Sequence, residues 1–136
     1  MDLLTLKLFS LLRRGVIKSP KDFCNNFGTR ESLEKLEIDT SQDEKYLKEN
    51  NLNIVSIFDD ELSCFVGTIN KTEIPLLLVC KGDVSLIKKI SKNVAVVGTL
   101  NSSEDIKNRE QQIVQSLLQN SKVIVSGLAK GCDTIA

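Results

Sequence analysis

The sequence contains no histidine, which removes the commonest general base and any Ser-His-Asp triad. Its four cysteines, Cys24, Cys64, Cys80 and Cys132, form no CxxC pair and no ligand-like spacing. No zinc or other metal site is therefore expected, and the thiols read as reduced and mostly buried. An excess of charge is missing too, since 18 Lys and Arg balance 18 Asp and Glu. No global field draws the chain to nucleic acid or to a membrane, so any anion-binding surface has to be local. One basic stretch lies at residues 71–92, where Lys71, Lys81, Lys88, Lys89 and Lys92 face only Glu73 and Asp83. The apolar start, MDLLTLKLFSLLRRG, is interrupted by Lys7, Arg13 and Arg14, well short of the ~20 residues of a membrane span. It also lacks the order of a secretory signal. The expectation is a cytoplasmic protein with no membrane contact.

What is present is a core-forming composition, 41% hydrophobic over 136 residues, about one domain in length. Leu3, Leu4, Leu6, Leu8, Phe9, Leu11 and Leu12 crowd residues 2–14, dense enough for a helix buried on more than one side, with Gly15 as its C-terminal cap. SPKDFCNNFG predicts a short helix with Ser19 as N-cap, Pro20 at the first position and Gly28 as the stop. TRESLEKLEI and TSQDEKYLKENN predict two more, the second opened by Ser41 with Glu44 in a capping box. Residues 1–50 are thus expected to form a small helical domain. The pattern then changes. NIVSIFDD and EIPLLLVCKGD read as strands, VSLIKKIS as a short helical piece, and NVAVVG as a continuous strand buried on both faces. In SEDIKNREQQIVQSLLQN, Ile106, Ile113, Val114, Leu117 and Leu118 share one helical face, with Ser102 and Asp105 as its N-terminal signature. KVIVSG follows as a further strand, completing one βαβ crossover. The fold class is α/β, with residues 51–136 as the first part of a parallel-sheet, Rossmann-like domain.

Both strands of that crossover end in glycine and a small polar loop: Gly98-Thr99-Leu100-Asn101-Ser102, and Ser126-Gly127-Leu128-Ala129-Lys130-Gly131. Ligands of open α/β sheets bind beyond the carboxyl ends of the strands. Glycine there brings backbone N–H groups close to an anion, and a following helix N-terminus adds partial positive charge. The inference is an oxyanion or phosphate cradle across two neighbouring loops. Neither GxGxxG nor GxxxxGK[ST] occurs, so a dinucleotide fingerprint and a P-loop are excluded. For either loop alone, a glycine that merely serves a tight turn explains the pattern as well. Asp133, two residues after Gly131, reads as a helix cap rather than an acid catalyst.

NVAVVGT…VIVSGLAKGCDTIA resembles the DprA/Smf family of bacterial DNA-processing proteins. The family's second motif, S-G-x-A-x-G-x-D, is matched by Ser126, Gly127, Ala129, Gly131 and Asp133. Ile69, Pro75 and Lys81-Gly82 hold the places of the family's lead-in, and NNFGTRESLEKL is similar to its small N-terminal helical (SAM-like) domain. The resemblance implies an extended Rossmann-like fold that binds single-stranded DNA, forms a homodimer and loads the RecA recombinase onto incoming DNA in natural transformation. It implies no enzymatic activity, no catalytic residue and no cofactor. Gly98, Thr99, Ser126, Gly127, Lys130 and Gly131 are the expected phosphate contacts, through N–H, hydroxyl and ammonium groups, with Lys81 a lesser candidate. The sequence departs from the family at Leu100, where an arginine is usual, which implies one phosphate contact fewer. Leu62-Ser63 replaces an aromatic-proline pair, and the N-terminal hairpin glycines are reduced to Gly15. The family domain runs on past this motif, so the chain is expected to be a piece of a longer protein. The missing part would hold the dimer surface, and Val123, Ile124 and Val125 would lack a neighbour on one side. Two other readings stay open: a nucleotide-binding sensor or nucleotide-processing enzyme on the same scaffold, and a folding and docking unit with no ligand.

Overall fold

The computed structural model describes residues 2–63, 70, 73–88 and 90–136. They fall into two compact units, Met1–Lys88 and Lys89–Ala136.

The first unit holds α1 (Leu3–Arg13), α2 (Pro20–Asn26), α3 (Arg30–Glu34), α4 (Ser41–Glu49), β1 (Asn53–Ser56), α5 (Asp60–Ser63) and β2 (Leu77–Cys80). α1 is its spine. Leu4, Leu8 and Leu11 pack with Ile17, Phe23, Leu33 and Leu76 on one side. Leu6 and Phe9 meet Leu47 on another, so the dense leucine pattern does bury more than one face. Two polar residues of α1, Thr5 and Ser10, are also buried, and buried hydroxyls need partners. Thr5 Oγ1 shares a hydrogen bond with Ser56 Oγ at 2.8 Å and donates to Asp59 Oδ2 at 3.2 Å, which ties α1 to the end of β1. Ser10 Oγ donates to Asp43 of α4. The same carboxylate accepts from Arg13 at 2.8 Å and Arg14 at 3.4 Å, while the Arg13 guanidinium lies 4.1 Å above the Tyr46 ring. Burial pushes the Asp43 carboxyl up, but the hydrogen bond from Ser10 and the bond and charge of Arg13, with Arg14 behind, more than offset it. The group sits below the ordinary carboxylate range.

The helix ends follow the expected chemistry in α2, where the Ser19 hydroxyl accepts from Asp22 N–H at 3.0 Å and Pro20 takes the first turn. α4 differs. Thr40, not Ser41, is its N-cap, and no side chain caps the helix. Ser41 instead donates its N–H to Asp39 Oδ1 at 3.0 Å, because an aspartate two residues upstream offers a charged acceptor in a local turn. β1 and β2 pair antiparallel, from Asn53↔Cys80 to Ser56↔Leu77, and share a compact unit with the helices of residues 1–50.

The second unit is a parallel strand–helix–strand: β3 (Asn93–Ala95), α6 (Glu104–Gln119) and β4 (Val123–Val125). β3 and β4 pair in parallel, with Asn93↔Val123, Val94↔Ile124 and Ala95↔Val125. This is the α/β crossover that the periodicity predicts. Val114 of α6 is buried, whereas Ile106, Ile113 and Leu118 are exposed. The expected long buried strand NVAVVG is shorter. Its ladder covers three residues, and Val97 is 81% exposed. With only β4 beside it among the described residues, β3 has neither a second ladder nor a covered second face. The N-cap of α6 is Ser103 rather than Ser102: its hydroxyl accepts from Ile106 N–H at 3.5 Å. Ser102 Oγ is buried with no hydrogen-bond partner among the described residues.

Of the described cysteines only Cys132 is buried, Cys80 is half-buried and Cys24 is exposed. Phe23 faces the core, so the next residue of α2 points outward. Cys64, Ile69, Lys71 and Lys89 lie outside the described residues. No helix among the described residues is long and apolar enough to cross a membrane.

Candidate anion-binding site

The parallel register puts the ends of β3 and β4 side by side, so the loops that leave them must touch. Cys132 N–H donates to Thr99 C=O at 3.2 Å, joining the start of the second loop's short 3-10 turn (Cys132–Thr134) to the first loop. The fit leaves no room for side chains at three positions. A Cβ on Gly131, where φ is +88°, would stand 2.3 Å from Thr99 O and 2.5 Å from Leu100 O. One on Gly98 would stand 2.5 Å from Cys132 Cβ, and one on Gly127 would stand 2.9 Å from Asp133 Oδ2. Glycine at 98 and 131 is therefore required by the approach of one loop to the other, not only by a turn, whereas the neighbour at 127 is a side-chain oxygen of the same loop.

The expected contact residues are thus brought together in part. Gly98 and Thr99 on the first loop meet Gly131 on the second. Ser126 stands at the end of β4, its hydroxyl donating to Asp133 C=O at 3.4 Å. Lys130 is exposed on the second loop, with no ion pair among the described residues. Lys81 is exposed in the first unit. The Gly98 N–H, expected to face an anion, donates to the Asp133 carboxylate at 3.4 Å.

Asp133 itself departs from expectation. Gly131 is the N-cap of the 3-10 turn, with no side-chain cap, and Asp133 lies inside the turn. The carboxylate reaches across to the first loop because the chain turns back on itself at Gly131, bringing Cys132 and Asp133 against Gly98. Beside this junction is a depression of about 400 Å³ lined by Leu100, Asn101, Ser102, Lys107, Gly131, Thr134 and Ile135. Lys107 is a cation that motif reading passes over. It sits one turn into α6, four residues past the N-cap, and pairs with Glu104 at 2.6 Å. A lysine in the first turns of a helix that follows a glycine loop is the signal that would have found it. Among the described residues no group of three or more His, Cys, Asp or Glu is placed to hold a metal ion. What the junction and its rim bring together is hydroxyls, the two lysines Lys107 and Lys130, the Asp133 carboxylate and a set of tightly packed backbone groups.

Residues 53–136 match the family described as DNA recombination-mediator protein A. A curated relative, the DNA processing protein DprA of Streptococcus pneumoniae (strain ATCC BAA-255 / R6), is 40% identical over 82 residues. The match takes in 60% of this chain and 27% of the relative, so the chain spans about a quarter of that protein's length. No solved structure matches.

Proposed function

Because the chain belongs to the DNA recombination-mediator protein A family, we propose that it serves DNA processing by binding single-stranded DNA and delivering it to a RecA recombinase. On this reading residues 1–50 are a helical N-terminal domain and residues 51–136 the first part of the Rossmann-like domain. The full-length protein is a cytoplasmic homodimer. Its role is binding, with no bond made or broken.

The observation that carries the reading is the pair of interlocked loops after two parallel strands, packed so closely that Gly98 and Gly131 admit no side chain. Such loops expose backbone and hydroxyl groups to an anion and offer nothing that reads a base. Gly98, Thr99, Ser126, Gly127, Lys130 and Gly131 are the proposed phosphate contacts, with Lys107 added at the edge of the depression. Because net charge is zero, strand affinity has to come from local groups, and every lysine in this set weighs in the salt dependence.

Fluorescence anisotropy of labelled oligo(dT), at several lengths and salt concentrations, tests the reading. Affinity should grow with length and fall steeply with salt. Lys130→Ala should weaken binding severalfold and flatten the log–log salt slope by about one. A folded chain that binds no oligonucleotide, or that binds a mononucleotide as tightly as a strand, overturns it.

A further inference from the structure

The residue that joins both loops is acidic. Asp133 is 6% exposed and in no ion pair among the described residues. Its carboxylate accepts from Gly98 N–H on the first loop at 3.4 Å. Its Oδ2 occupies the space beside Gly127 where a Cβ would come within 2.9 Å. Its own carbonyl accepts from Ser126 Oγ at 3.4 Å. One residue therefore touches the segment that follows each parallel strand, at Gly98 and at Ser126. A buried carboxylate held by one neutral donor, with no cation paired to it among the described residues, is a costly way to fasten two loops; asparagine would make the same bond without the charge.

We infer that Asp133 is the positioning residue of the two-loop site, and that its negative charge, lying against the Gly98 amide, holds phosphate affinity down so that a bound strand is readily released. The inference rests on the anion-binding reading of the loops. The carboxylate takes the amide that a phosphate oxygen would otherwise approach, and repels any phosphate that settles on the remaining donors. The site is built with its own resident anion. A strand then binds firmly only by engaging several phosphates at once, and a single phosphate competes poorly. For a protein that must pass DNA to another, loose binding of each phosphate is an advantage.

Two substitutions separate the parts of this inference. Asp133→Asn keeps the acceptor and removes the charge; Asp133→Ala removes both. Each is made in the whole 136-residue chain. The Gly98 amide is followed by ¹H–¹⁵N NMR and hydrogen exchange without ligand, and oligo(dT) binding is measured by anisotropy. The Gly98 amide should stay protected in Asp133→Asn, and should shift and exchange faster in Asp133→Ala. Asp133→Asn should bind oligo(dT) about tenfold more tightly at low salt, the size expected for one like charge removed at ~6 Å in a half-solvated site. The gain should shrink at high salt. A Gly98 amide unmoved in Asp133→Ala overturns the positioning role. An Asp133→Asn protein with an intact Gly98 amide and unchanged or weaker binding overturns the charge role. If neither the parent chain nor Asp133→Asn binds oligonucleotide while the amide responds as expected, the positioning role stands and the DNA-binding reading fails.

Discussion

Replacing Asp43 with alanine should destabilise the first unit by removing the polar hub of the α1–α4 contact. The side chain is 6% exposed, and three donors converge on it: Ser10 Oγ, Arg13 Nη1 and Arg14 Nη2. Ser10 is fully buried, so its hydroxyl is left unpaired, at about 1–3 kcal/mol. The two arginine side chains are 44% and 48% exposed; solvent screens their pairing to about 0–1 kcal/mol each. The sum is about 1–5 kcal/mol. Asp43→Asn keeps an acceptor for Ser10 and should lose about half as much. Ser10→Ala combined with Asp43→Ala should lose less than the two singles added, since the orphaned hydroxyl is gone. The assay is urea unfolding followed by tyrosine fluorescence. Tyr46 is the only tyrosine and there is no tryptophan, so the signal reports the ring beneath Arg13. The pH dependence has a fixed sign. The folded-state pKa of Asp43 is depressed, so its contribution is fully present above the unfolded value of about 4 and is lost as pH falls through the folded value. The gap between the parent chain and Asp43→Asn should be flat near neutrality and close in acid. A loss under about 0.5 kcal/mol for Asp43→Ala, or a gap that widens in acid, would refute the reasoning.

The loop junction and the α6 cap give two further tests. Gly131→Ala meets two backbone oxygens within 2.5 Å at a φ of +88°; strain and clash together should cost about 2–5 kcal/mol, read from urea unfolding at 222 nm. Ser103→Ala removes the cap of a 16-residue helix and should cost about 1 kcal/mol. Ser102→Ala, whose oxygen is buried without a partner among the described residues, should cost nothing by the same measurement; equal losses at both positions would sink the cap assignment.

Much of this was legible because it is local. The leucines of α1, the Ser19-Pro20 start of α2 and the helical period of α6 are written in neighbouring residues, and short-range sterics and capping decide them. The βα loops stood out for the same reason, as glycine after an apolar run. What escaped depends on residues far apart in sequence. Gly98 and Cys132 are in contact only because β3 and β4 pair in parallel. The reach of Asp133 back to Gly98 spans 35 positions, and no motif spacing encodes it. Two caps differ by one residue for reasons a pattern cannot rank: Asp39 takes the Ser41 N–H, and Ser103, not Ser102, is the hydroxyl that reaches Ile106 N–H. Burial of NVAVVG was overestimated because an apolar run shows only that a strand can be covered, not that a neighbour is there to cover it.

The close fit of Cys132 beneath Gly98 has a practical consequence. The sulfur lies 2.6 Å from where a Cβ on Gly98 would stand, and the residue is 5% exposed. An alkylating reagent should reach so buried a sulfur slowly, and faster when the two loops part. Cys24 is exposed on the other unit and reacts in either case, so it serves as an internal standard. The ratio of the two alkylation rates reports how often the junction opens, in the native chain, with no label introduced and no ligand required.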